Sequence, residues 1–160
     1  MTIGTTVRRR LEAQGYVGFD DVALGELAPW LRWSPAFCTL FMILGVAMRS
    51  PSILWALACI ALLGAILPFH PFDLLYNHGM RFVTGTRPLP HHGPQRRFAC
   101  GLAAAWLVAI GWAFQSGSAL VGYALGVPLI LVAALVSATH FCIPSFIYNA
   151  LFSHQSSKGA

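Results

Sequence analysis

Long uncharged apolar runs separated by short polar interruptions dominate this chain, and they predict a set of packed apolar helices. Four runs stand out, at residues 35–48, 52–69, 98–114 and 119–141. Crossing about 30 Å of hydrocarbon takes roughly 20 residues, within a range of about 17–25, so the last three are long enough unaided. The first is short, and Trp30, Leu31 and Trp33 upstream lengthen it while Arg32 reaches back to the headgroups. A re-entrant or interfacial helix is the alternative for that run.

The interruptions are of two kinds. Arg49-Ser50-Pro51-Ser52 and Gln115-Ser116-Gly117-Ser118 are tight turns, so the runs pair as two hairpins. A longer stretch rich in His, Pro, Gly and Arg joins them. The expected fold is therefore an all-α membrane protein with four transmembrane helices as two hairpins and interfacial aromatic segments. Its parts are an N-terminal arm (1–33), a first hairpin (34–69), a basic connecting segment (70–97), a second hairpin with an interfacial end (98–152) and a tail (153–160). Within the arm, residues 19–32 suggest a short helix capped by Asp20, either docked on the basic segment or free in solvent.

The ends of the hairpins also resemble each other. Phe69-His70-Pro71-Phe72-Asp73-Leu74-Leu75-Tyr76-Asn77 aligns without gaps on Phe141-Cys142-Ile143-Pro144-Ser145-Phe146-Ile147-Tyr148-Asn149, with Phe, Tyr and Asn shared. Each hairpin would end in a proline-marked break and a short aromatic segment suited to the headgroup layer. Two hairpins in one orientation imply a pseudo-two-fold axis along the membrane normal.

Composition agrees with a lipid solvent. Of 160 residues, 57% are hydrophobic and 9% charged, against about 25% charged in a soluble domain. The net charge of +5 comes without a basic stripe interleaved with aromatics, so nucleic acid is excluded as a partner. The basic residues instead set a topology. Arg8, Arg9, Arg10 and Arg32 lie in the arm, Arg81, Arg87, Arg96 and Arg97 in the centre and Lys158 in the tail, while the tight turns hold only Arg49. That split places both termini and the central segment on the cytoplasmic side of a bacterial inner membrane. Arg8-Arg9-Arg10 is followed by Leu11-Glu12-Ala13-Gln14-Gly15 rather than an apolar stretch, and reads as a lipid-headgroup anchor, not a secretory signal.

The candidate chemistry is soft. No Asp, Glu, Lys or Arg falls within runs two to four, which argues against a pump or ion-coupled transporter. No phosphate loop, metalloprotease motif or nucleophile elbow is present, so an enzymatic role is not expected. Cys38, Cys100, Cys142, His70 and His140 gather near the cytoplasmic ends of the runs, and Cys59 lies mid-membrane. His70, His140 and Cys142 form a candidate metal or haem set, although no cofactor is predicted. Cys142 is a candidate thiol, with Ser145 as hydrogen-bond donor to its sulfur. Structural roles compete with both, and no Cys-x-x-Cys is present. A structural disulfide is not expected in a reducing compartment. His91-His92, bracketed by prolines, reads as a surface loop. Gly101, Ala105, Gly122 and Gly126 are small residues for close helix packing, within the chain or with a partner.

Two hairpins joined by a basic Pro-rich segment, Arg96-Arg97-Phe98 leading into run three and His140-Phe141-Cys142 closing run four, together resemble an uncharacterised bacterial four-helix membrane family. The resemblance covers residues 34–152. Its members often carry Cys-x-x-Cys at the end of the fourth helix, where this chain has Cys142 and Ser145. That implies thiol or sulfur handling, weakened here because a single thiol cannot resolve its own mixed disulfide. The expected function is a non-enzymatic accessory or assembly subunit in a larger membrane complex, respiratory or photosynthetic, or a homo-oligomer within the bilayer. A thiol-redox or sulfur-transfer protein using Cys142 is the alternative.

Overall fold

Each apolar run becomes a helix whose ends are set by local chemistry. The computed structural model describes residues 3–152, and every regular element among them is helical. The tail 153–160, with Lys158, lies outside the described residues. The arm forms α1 (Thr5–Ala13) and α2 (Asp21–Leu27), and Asp20 caps α2 by accepting from the Ala23 backbone N–H at 3.0 Å. A 3₁₀ turn (Trp30–Arg32) runs into α3 (Trp33–Ala47), so Trp30, Leu31 and Trp33 do extend the first run to 18 residues. Next come α4 (Pro51–Ile66), α7 (Pro94–Gln115) and α8 (Ala119–Thr139). Three to four of these are long and apolar enough to cross a membrane, which is consistent with a multi-pass membrane protein.

The fourth depends on how α4 is counted. It stops after 16 residues and its continuation, residues 71–84, bends away by 81°. That continuation comprises α5 (Pro71–Leu75), a π turn (Tyr76–Met80) and α6 (Arg81–Thr84). Helix α8 ends in the same manner, with α9 (Ile143–Phe152) after the break at residues 140–142.

The four long helices pack as a ring, α3 on α4, α4 on α7, α7 on α8 and α8 back on α3. Val46, Leu54, Leu57, Leu107 and Ile110 fill its centre. Small residues allow the approach, as expected in lipid where close packing replaces the hydrophobic drive. A Cβ on Gly126 would stand 2.8 Å from Val46, and one on Gly122 would press into the Phe114 ring. Gly101 faces Ala65. Ala105, however, is exposed, and its neighbour Ala104 is the buried packing residue.

Helix α7 begins four residues before the apolar run because Gly93 and Pro94 start it, proline being preorganised for a first turn. Arg96 and Arg97 are therefore helical. Arg97 donates to the Ala65 and Ile66 carbonyls at 2.8 and 2.7 Å, satisfying orphan acceptors at the end of α4. The arm is docked. Leu11, Tyr16, Leu24, Leu27 and Leu31 form a second buried cluster with Tyr76 and Leu89 of the connecting segment, and Arg87 pairs with Glu26 at 3.4 Å.

Candidate functional site

At the end of the ring where α4 and α8 finish and α3 and α7 begin, the polar residues turn inward. Asp73 is the centre. Its Oδ1 accepts from the Ser34 hydroxyl on α3, and its Oδ2 accepts from His92 Nε2 at 2.5 Å. Arg96 of α7 approaches the same carboxylate at 3.8 Å and donates to the hydroxyl of Tyr16 in the arm. All five side chains are buried. Buried charge is tolerated when it is paired and hydrogen-bonded, and here one acid and one arginine cancel.

This network ties the arm, α3, the bent segment, the connecting loop and α7 together. Burial alone would raise the Asp73 carboxyl, but Arg96, His92 and Ser34 more than offset it and hold it at about 2. Burial, then Arg96, lowers His92 and His70 to about 4, so both are neutral at pH 7. Burial pushes the Tyr16 hydroxyl up to about 12.

Beside the network lies a cavity of about 350 Å³. Cys38 of α3, Cys100 of α7 and Cys142 at the start of α9 all line it, along with His70 and Arg96. Arg96 is the one charged residue among those lining it. Gln14 and Ser34 add two polar side chains, and the rest of the wall is apolar and comes chiefly from α7 and α8, including Leu102, Trp106, Leu129 and Val132. No disulfide joins the thiols; all four cysteines are free, and Cys59 is exposed elsewhere. Cys100 is within electrostatic range of both Cys38 and Cys142.

His70 has a defined tautomer. It precedes α5, and its Nδ1 accepts from the Phe72 backbone N–H at 3.3 Å, so the proton resides on Nε2. That nitrogen lies 3.8 Å from Cys38 Sγ. Cys142 occupies the matching place before α9, its carbonyl accepting from Phe146 N at 3.1 Å. The aligned asparagines are matched too: Asn77 bonds to Leu89, and Asn149 donates to the Ala13 carbonyl at 2.8 Å. The repeat alignment thus pairs residues with equivalent local roles, and Asp73 and Ser145, aligned in it, are both buried.

Several expectations change. His70, His140 and Cys142 do not assemble as a metal set, and no group of three or more His, Cys, Asp or Glu that could hold a metal forms among the described residues. His70 and Cys142 share the cavity, but His140 is occupied: its Nε2 accepts from Arg32 Nε at 2.8 Å. Ser145 does not reach the Cys142 sulfur, for its hydroxyl is buried with no hydrogen-bond partner. His92 is no surface residue; only His91 remains outside, 4.3 Å from the Phe69 ring. Asp73, Ser34, Tyr16 and Arg96 went unrecognised as a unit. The available signal was Asp73 itself, the single acid outside the arm.

Fold and site together define the class: an all-helical protein with three to four helices suited to a membrane and a thiol-lined cavity at one end of the bundle. The chain belongs to the family described as Domain of unknown function (DUF4395), which matches residues 28–152. The arm before residue 28, and with it Gln14 and Tyr16, falls outside that match. No curated protein and no solved structure matches the chain.

Proposed function

We propose that the chain is a four-span thiol-redox protein of the cytoplasmic membrane, in which Cys142 attacks a disulfide substrate and Cys100 resolves the product. The observation that carries this reading is the meeting of three free thiols from three separate helical elements in one cavity. The Cys142 thiolate breaks the substrate S–S bond, one half leaves as a thiolate, and a mixed disulfide remains. The Cys100 thiolate then attacks the Cys142 sulfur, the second half leaves, and a Cys100–Cys142 disulfide is formed while the substrate is reduced. Cys100 thereby takes the part that Ser145 cannot play. The distribution of basic residues supports a cytoplasmic position for the thiol end, where the resting state is the dithiol.

Mild oxidation of native membranes, followed by alkylation and peptide mass spectrometry, tests this. A Cys100–Cys142 linked peptide pair is expected, and Cys142→Ser abolishes it. Absence of any linked pair, with Cys142 also inert to a membrane-permeant maleimide at neutral and alkaline pH, refutes it.

An accessory subunit of a larger membrane complex ranks second. Its support is the exposed apolar outer face, with Leu120 and Leu131 prominent on α8, which suits a protein partner as well as lipid. Gly122 and Gly126 no longer contribute, since they are occupied within the chain. Recovery of the protein in a larger assembly after gentle native solubilisation would favour this reading.

A further inference from the structure

The cavity beside the thiols has a polar end whose free donors come from His70 and Arg96, and a largely apolar body; Gln14 and Ser34 also line it, but their donors are spent on the His140 carbonyl and on Asp73. His70 spends its acceptor nitrogen on Phe72, so it offers the cavity only the Nε2 N–H. Arg96 is a donor by nature, and its bond to Tyr16 uses one of five N–H groups. A ligand that engages these two donors brings acceptors. It should also be uncharged. The Arg96 and Asp73 charges already cancel, so a phosphate would leave one uncompensated negative charge in an apolar chamber, which is costly.

The body of the cavity points to a lipid-soluble molecule. Leu102 and Trp106 line it and are also exposed on the outer surface of α7, so the chamber is open toward the side that faces lipid. Its volume of about 350 Å³ falls in the range of small-molecule sites, roughly 300–1,000 Å³.

We infer that this cavity binds a membrane-soluble quinone, its ring carbonyls on the His70 and Arg96 donors and its tail along the apolar wall of α7 and α8. Binding stands on the cavity alone; the reaction rests on the thiol reading above. In that reaction Cys100 and Cys142 together give up two protons and two electrons. One S–S bond forms, and both quinone carbonyls become hydroxyls. Run in reverse, bound hydroquinone gives two electrons and two protons to the Cys100–Cys142 disulfide left by the substrate, which restores the dithiol and closes the cycle.

The test uses the full chain in quinone-free phosphatidylcholine nanodiscs, titrated with decyl-ubiquinone. Quenching of tryptophan fluorescence should be saturable, and Trp106→Phe should remove most of it. His70→Asn, which keeps a helix-capping acceptor but shortens the donor, should weaken binding roughly tenfold, as expected for one lost hydrogen bond. Ala133→Phe, which fills the chamber, should abolish binding, with Ala103→Leu from another wall position as a second filling variant. Phosphatidylglycerol should not compete.

Non-saturable quenching, binding unchanged in both filling variants, or competition by phosphatidylglycerol overturns the inference. If glutathione disulfide drives the Cys100–Cys142 link while decyl-ubiquinone neither binds nor oxidises the thiols, the quinone inference fails and the thiol reading stands. If quinone binds saturably in wild type and in the Cys100→Ser/Cys142→Ser double variant, but no link forms in wild type, the site stands and the thiol reading fails.

Discussion

His92 Nε2 donates to Asp73 Oδ2 across 2.5 Å, joining a loop bracketed by prolines to the first turn of the helix that follows the α4 break. The loop is held from its backbone as well, His92 N donating to the Pro68 carbonyl at 2.8 Å. With Ser34 and Arg96 on the same carboxylate, Asp73 is the single acceptor that α3, α7 and the connecting segment share.

Removing that acceptor should therefore do more than break one bond. Asp73→Asn leaves Arg96 buried without a counter-charge, a change that typically costs about 3–5 kcal/mol. The double variant Asp73→Asn/Arg96→Met removes the stranded charge and should be less destabilised than the sum of its singles. Thermal unfolding in detergent, run as a double-mutant cycle, measures the coupling. Additive effects would mean that the two charges act separately.

Stability should also depend on pH in a defined window. His92, His70 and His140 are lowered from an ordinary 6.5 to about 4, each by burial first, with Arg96 next for the first two and Arg32 next for His140. The unfolded chain then binds these protons more tightly than the folded one. Their contribution is complete above pH 6.5 and is lost as pH falls to about 4. Asp73 is lowered from 3.8 to about 2, so its share fades only below pH 3.8. Melting temperature should drop between pH 6.5 and 4, and His92→Gln should flatten part of that drop. A level profile across this window contradicts the buried-histidine account.

The break after α4 offers a packing test. A Cβ on Gly64 would stand 2.5 Å from Cδ2 of the His70 ring, so Gly64→Ala must displace the ring that caps α5 and lines the cavity. Overpacking of this kind costs roughly 1–3 kcal/mol. Gly101→Ala, whose Cβ would meet only Ala65 at 3.7 Å, should be nearly neutral. Melting temperatures of the two variants compare them directly.

The long helices were readable because lipid demands unbroken apolar runs, and turn residues such as Ser50-Pro51 mark their ends. Even the short first run and its extension by Trp30 and Trp33 could be read that way. The site was less legible. Its thiols and His70 were recognisable by type and by position near run ends, but the partners of Asp73 come from segments far apart in sequence, and no local pattern announces Ser34 or Tyr16. His92 was misread because its proline neighbours signal a loop, and a loop signal does not tell which way a side chain turns. Arg96 was counted with the topological charges, although only its neighbour Arg97 stays at the surface.

Ser145 gives a fourth prediction, with a sign that composition alone would not suggest. Its hydroxyl is buried and unpartnered, a state that costs roughly 1–3 kcal/mol. Ser145→Cys replaces it with a weaker polar group that tolerates apolar surroundings, and should leave stability unchanged or raised. It also restores Cys-x-x-Cys at the start of α9. Peptide mapping after oxidation should then find a link between Cys142 and the introduced thiol, competing with Cys100–Cys142. Clear destabilisation would mean that the serine hydroxyl has a partner.

The arm outside the family match provides the last prediction, through the end of α8. His140 terminates that helix in the left-handed region, at φ 58°, a conformation that costs a residue with a Cβ roughly 1–2 kcal/mol. Such backbone persists when its surroundings over-determine it, and here two of the three bonds come from the arm: Gln14 donates to the His140 carbonyl at 2.6 Å and Arg10 to the Thr139 carbonyl at 2.8 Å, while Arg32 of the following 3₁₀ turn donates to the imidazole. The break carries Cys142 into the cavity, so the arm helps to position the thiol. Gln14→Ala, which removes the shortest of these bonds, should destabilise by about 1–2 kcal/mol and loosen residues 140–145. Hydrogen exchange should quicken there and in α1 together, while α3 and α4 keep their protection. Faster exchange in α1 alone would show that the α8 break holds itself, and that the arm is only laid over it.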